Sequence, residues 1–282
     1  MIDLIQQRLE RYQAGNAVEE EQALKEILQE VALYALWRAD FFEIAAFQGG
    51  TSLRILHGLP RFSEDLDFIL KRPDENFAWT AFLNPLVEGL ETFGLKSEVL
   101  DKGRMDQRVR KALLKDNSVA RQLRLGFYEG PADRKLSIKL EIDINPPEGS
   151  GYEYRYLDFP LDFEVCQQDL SSNFALKIHA LLCRPFLKGR DWYDFNWYVK
   201  QGVSPNLGLL RAALEQYGPW QGRVLAVDRQ WLEDTLREKI ATIDWTAAAD
   251  DVRRFLKPVE QESLRLWSNR FFQSKLDQLP NE

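Results

Sequence analysis

Two short stretches of this chain carry groups suited to phosphate chemistry. Gly49-Gly50-Thr51-Ser52 stands ahead of Leu53 to Leu56, whose pattern predicts one or two helical turns ended by Gly58 and Pro60. Glycines before a helix start let the backbone approach a phosphate closely. Exposed amides, with the hydroxyls of Thr51 and Ser52, would then bond its oxygens. Further on, Arg61-Phe62-Ser63-Glu64-Asp65-Leu66-Asp67-Phe68-Ile69-Leu70 begins to alternate polar and apolar, like a strand buried on one face. Carboxylates at i and i+2 on a strand point to the same side. Asp65 and Asp67 therefore offer hard oxygen ligands to one Mg²⁺, or to two bridged ions. Each signal alone has an ordinary explanation, a solvated strand face for the aspartates and a turn for the glycines. Together they say more.

A third carboxylate is on offer. Leu136 to Ile144 alternates, so Lys139, Glu141 and Asp143 share one face while Leu140, Ile142 and Ile144 share the other. If this strand lies beside the Asp65 strand, three or four carboxylates converge, and such a cluster repels itself unless cations neutralise it. The competing explanation is an edge strand whose charges discourage pairing with other chains.

The elements that must hold these groups follow from periodicity. A helix is predicted over 18–42, where Leu24, Ile27, Leu28, Val31, Tyr34 and Ala35 recur at three- and four-residue steps. Glu19, Glu20 and Glu21 stand at its positive end. A short apolar stretch, Ile44 to Phe47, leads into the glycines. A helix over 77–93 and strands over 96–100 and 123–128 come next. Residues 146–172 are loop punctuation around weak strand signals. Beyond them helices are predicted over 174–184, 192–200, 206–217, 229–243, 246–256 and 259–275. The expected architecture is α+β: a mixed sheet with flanking helices over 1–165, then an all-helical domain over 166–282.

Composition bounds the function. The 282 residues include 37 basic and 44 acidic side chains, a net charge of −7, which argues against a surface that coats nucleic acid everywhere. A local excess remains, with Arg104, Arg108, Arg110, Lys111, Lys115, Arg121 and Arg124 against Asp106 and Asp116. Arg108, Lys111 and Lys115 fall on one face if the segment is helical. Such a patch suits an RNA acceptor, and a solvated helix explains it equally. Two cysteines and two histidines support neither a disulfide framework nor a zinc site. The N-terminus lacks a signal-peptide stretch, and Val31 to Trp37 is far shorter than the ~20 residues of a spanning helix. The expectation is a soluble, cytoplasmic protein without membrane attachment. P-loop, Gly-x-Ser-x-Gly and zinc-ligand motifs are absent from the sequence.

The Gly-Gly-Thr-Ser start, the Arg-Phe-Ser-Glu-Asp-Leu-Asp-Phe continuation, and the later Leu176-Lys177 and Lys188-Gly189-Arg190-Asp191-Trp192-Tyr193-Asp194 segments resemble the AbiEii/AbiGii toxin family. That family is nucleotidyltransferase-like, with the DNA polymerase β-type superfold, and the matching motifs span about residues 45–200. The resemblance implies a Mg²⁺-dependent transfer of NMP from an NTP to an acceptor such as a tRNA, by a toxin held in check by an antitoxin encoded beside it. It implies that Gly49, Gly50, Thr51 and Ser52 hold the triphosphate. It implies that Asp65, Asp67 and a third carboxylate, Glu141 first and Asp143 second, hold two Mg²⁺ ions. The carboxylate could also help deprotonate the attacking hydroxyl. Lys177 and an aspartate of Asp191 and Asp194 would join the catalytic set, with Lys177 also on the nucleotide, while Arg61 and Ser63 would orient phosphate. Physical reasons compete: Lys177 and Arg184 on one helical face read also as snorkelling cations, and helix N-capping accounts for Asp191 and Asp194. Other acceptors, a protein hydroxyl or a small molecule, and a non-catalytic nucleotide-binding role are the alternatives.

Overall fold

In the computed structural model, which describes residues 1–103, 107–116, 118–127 and 136–280, the chain divides into two units. The first comprises residues 1–58, 62–146 and 153–167; the second comprises 59–61, 147–152 and 168–282.

In the first unit no helix is predicted over the N-terminal residues, yet Ile5 and Leu9, one turn apart, bury α1 (Ile2–Tyr12). Asn16 then accepts hydrogen bonds from the Val18 and Glu19 amides, which starts α2 (Ala17–Arg38) close to its predicted boundary. Nearly every residue of α2 from Ala23 to Leu36 is buried. A short α3 (Phe41–Ile44) leads into β1 (Ala45–Gln48), α4 (Gly49–His57) and β2 (Leu66–Leu70). Next come α5 (Thr80–Thr92), β3 (Ser97–Asp101), β4 (Val109–Asp116), α6 (Val119–Gln122), β5 (Leu136–Asp143), β6 (Tyr152–Leu157) and β7 (Phe163–Gln168).

The strands form one mixed sheet in the order β3-β4-β5-β2-β1-β7-β6. β2 runs parallel to β5 and β1 parallel to β7, while β1–β2, β3–β4 and β4–β5 are antiparallel. One register matters for chemistry: Asp67 pairs with Glu141 on one side and Gln48 on the other. Phe41, Phe68 and Trp79 pack edge-on or stacked within 6.1 Å of one another beneath β2.

Two expectations for this unit fail. Residues 123–127 form no strand, because side chains satisfy their amides: Gln6 accepts from Arg124 N at 2.8 Å, and Glu20 from Gly126 N and Phe127 N; Tyr128 lies outside the described residues. The stretch that carries Arg108, Lys111 and Lys115 is not helical either. Its described core is β4, paired along its length with β5.

The second unit is helical: α7 (Leu170–Cys183), α8 (Gly189–Lys200), α9 (Leu207–Gln216), α10 (Arg229–Ala241), α11 (Trp245–Arg253), α12 (Pro258–Gln261) and α13 (Asn269–Leu276). The predicted helix over 259–275 is broken into α12, a 3₁₀ turn over Glu262–Leu266, and α13, whose start Ser268 caps through Phe271 N. Trp192, Trp245, Trp267 and Phe272 form the aromatic core, with Trp245 and Phe272 stacked 4.1 Å apart. Among the described residues no helix is long and apolar enough to cross a membrane.

Candidate active site

The junction of α4 and β2 brings the glycines to the aspartates. Gly49 begins α4 at φ +78°, a backbone conformation that side chains disfavour, and a Cβ there would meet Asp67 Oδ2 at 2.8 Å. Glycine therefore lets the start of α4 abut the Asp67 carboxylate. Gln48, the residue at the cap, does not bond the first-turn amides with its side chain; its Nε2 donates to Phe68 O at 3.1 Å. A helix start of this kind presents amide donors and partial positive charge. Asp65 lies immediately before β2 and Asp67 within it, both half-buried. The expected hydroxyl contacts to phosphate are not available. Thr51 and Ser52 are fully buried; Thr51 Oγ1 donates to the Asp65 carbonyl and Ser52 Oγ to the Gly49 carbonyl at 2.9 Å. They rivet α4 to the aspartate segment.

Arg54, two residues beyond the glycine motif in α4, has a role the sequence hides. It is ion-paired with Glu26 of α2 at 2.9 Å and stacks over Phe62 at 4.4 Å, anchoring α4 from behind. Ser63 is half-buried, and its carbonyl accepts from Gln29 Nε2 at 3.2 Å.

The third carboxylate differs from expectation. Glu141 stands in register beside Asp67, and the next strand over sets Lys111 opposite Glu141, with Nζ 2.9 Å from Oε1. Asp143 is taken in a two-pronged grip by Arg108, at 2.5 to 3.0 Å. Glu141 and Asp143 are thus each paired with a neighbouring cation. Among the described residues no three Asp, Glu, His or Cys side chains gather so as to hold one metal ion. Asp65 and Asp67 still fit a divalent cation. Mg²⁺ is commonly held by one or two carboxylates, with water and substrate phosphates completing its shell. The absence of a Cβ at Gly49 lets the start of α4 approach Asp67 Oδ2 closely.

In the second unit Lys177, Asp191 and Asp194 come together with Arg61 and Arg184. Arg61 is 2% exposed and donates from Nε and Nη2 to the two oxygens of Asp194, at 2.6 and 2.7 Å. Its expected role in orienting phosphate is therefore replaced by a buried two-pronged pair. Lys177 lies 2.9 Å from both Asp191 and Asp194, and Arg184 lies 2.6 Å from Asp191. Neither aspartate caps α8, whose cap position is Lys188 without a side-chain bond. Lys177 is not a snorkelling cation either. Burial alone would lower its pKa, but the Asp191 and Asp194 carboxylates outweigh burial and raise it. Burial likewise works against ionised Asp191, yet Lys177, Arg184 and Lys188 hold its carboxyl down at about 2.

Three cations of the basic segment are spent inside the first unit. Arg110 is 2% exposed and points inward, donating to Glu75 O at 3.0 Å and to Gln107 O. That removes it as a nucleic-acid contact. Arg108 and Lys111 serve Asp143 and Glu141, Lys115 is partly exposed, and Arg104 lies outside the described residues.

A family model described as nucleotidyl transferase AbiEii toxin, type IV toxin–antitoxin system, matches residues 31–275. The chain belongs to this family. It is accordingly a nucleotidyltransferase of the toxin side of a type IV system, whose members have an antitoxin counterpart. Two solved structures from Helicobacter pylori are similar to it. One, described as a "putative nucleotidyltransferase", is 17% identical, covering 90% of this chain and 96% of that chain at a TM-score of 0.47. The other, JHP933, is also 17% identical, covering 92% and 89% at a TM-score of 0.47. No curated protein matches the chain.

Proposed function

We propose that this AbiEii-family protein transfers a nucleoside monophosphate from an NTP to an RNA acceptor, tRNA foremost, and that Mg²⁺ serves the reaction. The observation that carries this reading is the contact between the start of α4 and Asp67, where a Cβ at Gly49 would lie 2.8 Å from the carboxylate. A phosphate-binding backbone and a cation-binding carboxylate pair adjoin. The first-turn amides at Gly49, Gly50 and Thr51 bind and orient the triphosphate. Asp65 and Asp67 hold the cation, which when bound neutralises phosphate charge and polarises the acceptor hydroxyl. Glu141, released from Lys111, accepts the hydroxyl proton; Asp143, gripped by Arg108, is the weaker candidate. Lys177, Asp191 and Asp194 act in the second unit as positioning residues that keep its helices in one arrangement. An antitoxin encoded nearby would silence the activity.

A specific observation favours a second reading of the acceptor. With Arg108, Arg110 and Lys111 committed internally, a protein hydroxyl or a small molecule becomes a competitive acceptor. The test incubates purified protein with Mg²⁺, each α-³²P-labelled NTP in turn, and total cellular RNA, with Asp65→Ala as control. Label in a tRNA-sized band with wild type alone upholds the RNA reading and names the nucleotide. Label on protein alone moves the acceptor to the second reading. Equal labelling by Asp65→Ala would sink the site.

A further inference from the structure

The second unit contains a cavity of about 160 Å³ bounded by α7, the turn after it, α8 and the end of α10. Its charged lining is one-sided: Arg184, Lys188 and Lys239 face it, against the single carboxylate of Asp191. That carboxylate is already bound by Lys177 and Arg184. The ammonium groups of Lys188 and Lys239 have no hydrogen-bond or ion-pair partner among the described residues. The rest of the lining is mainly apolar, including Phe186 and Trp192, and Arg184 stacks over Phe186 at 5.3 Å. Half-buried cations without a hydrogen bond or close ion pair cost free energy unless an anion joins them. Burial beside Lys177, Arg190 and Arg184, despite the attraction of Asp191, holds the Lys188 ammonium below the usual lysine range.

Size and charge narrow the ligand. At about 160 Å³ the cavity has room for a phosphate or diphosphate. The lining carries an excess of two positive charges, which matches a phosphate near neutral pH. A guanidinium with two point-charge ammonium groups suits its tetrahedral oxygens. None of this draws on the aspartate pair of the first unit, and it goes beyond the transfer reaction.

We infer that this cavity is an anion site for inorganic phosphate or diphosphate, with Lys188 and Lys239 as its principal ligands and Arg184 as the third. The site is separate in sequence from the glycine motif, and Lys239 belongs to none of the motifs that carry the family resemblance.

Isothermal titration calorimetry of the full chain tests it, with sodium phosphate and sodium pyrophosphate titrated separately in metal-free buffer at constant ionic strength. The expected result is saturable binding of at least one anion. Affinity falls tenfold or more, about 1.4 kcal/mol, in Lys188→Ala and in Lys239→Ala. Lys188→Arg restores most of it, and Asp67→Asn binds like wild type. Tighter pyrophosphate binding identifies diphosphate as the ligand; tighter phosphate binding identifies the single ion. Absence of binding by either anion, unchanged affinity in the Lys188→Ala/Lys239→Ala double variant, or loss in Asp67→Asn equal to that of the lysine variants overturns the site. Because neither lysine holds a hydrogen bond or close ion pair among the described residues, circular dichroism of these variants should match wild type, and transfer assays on Asp65→Ala report on the other site independently.

Discussion

At Gly49 a single methyl group separates two outcomes. Alanine there would adopt a positive φ at a cost of about 1 kcal/mol, and its Cβ would crowd Asp67 Oδ2 at 2.8 Å and Asp67 Cβ at 3.1 Å. The carboxylate has to move and the backbone has to give. Gly49→Ala should therefore lower single-turnover transfer from labelled NTP by at least about a hundredfold, some 2.7 kcal/mol of barrier. The melting temperature should drop only a few degrees. Wild-type transfer by this variant would remove the argument from close approach. Asp67→Asn keeps the shape and deletes the charge, so transfer should vanish while the melt is unchanged or raised, since a carboxylate beside Glu141 is relieved. The aspartate pair was legible because i, i+2 spacing on a strand has one geometric meaning. The buried hydroxyls of Thr51 and Ser52 were not, because residue type shows a donor and says nothing of which way it faces. Arg61 misled for the same reason: its partner Asp194 lies far along the chain.

Among the elements, β4 was the hardest to read. Its inward row is Arg110, Ala112, Leu114 and Asp116, so two charged residues occupy the buried face and mask the alternation. The outward cations, with Arg108, happen to match a helical spacing as well. Strand β2 and helices α2, α5, α7 and α8 carried clean apolar periodicity and were predicted near their observed bounds. The helix pair α7–α8 gives a prediction of its own. Asp191 has its carboxyl at about 2 in the fold, against an ordinary 3.8. Because the folded value is the lower one, the stabilisation is full above about pH 4 and is lost as pH falls through 2. It amounts to roughly 2 kcal/mol. About half should be gone at pH 3. Urea unfolding followed by circular dichroism at pH 5 and pH 3 should show this loss in wild type. Asp191→Asn should start less stable and lose correspondingly less; an equal acid loss in both would assign the effect elsewhere. Arg61→Leu leaves a fully buried Asp194 with Lys177 alone, and removal of one member of such a pair costs about 3–5 kcal/mol. It should be the most destabilising of these variants in the same assay.

For the whole molecule, charge decides how an RNA acceptor would be held. The chain carries a net −7, and of the basic segment Arg108, Arg110 and Lys111 are tied to internal partners. Lys115 and Lys139 keep exposed or partly exposed positions on the outward face of the sheet, flanking the row that holds Glu141. With Arg124, exposed in the basic segment, that leaves on the order of three cations for phosphates, where each neutralised phosphate of a single strand contributes about 0.7 to the salt slope. A tRNA substrate should accordingly lose about twentyfold in affinity between 50 and 200 mM salt, against the 10³–10⁵ of proteins with six to ten phosphate contacts. Fluorescence anisotropy with labelled tRNA across that range measures the slope directly. Lys115→Ala and Lys139→Ala should each reduce the slope by about one phosphate's worth, whereas Arg110→Met should leave it unchanged, because its guanidinium already serves the Gln107 and Glu75 carbonyls. A slope steeper than about −4 would mean a basic surface beyond these residues, and no dependence at all would turn the acceptor toward protein or a small molecule.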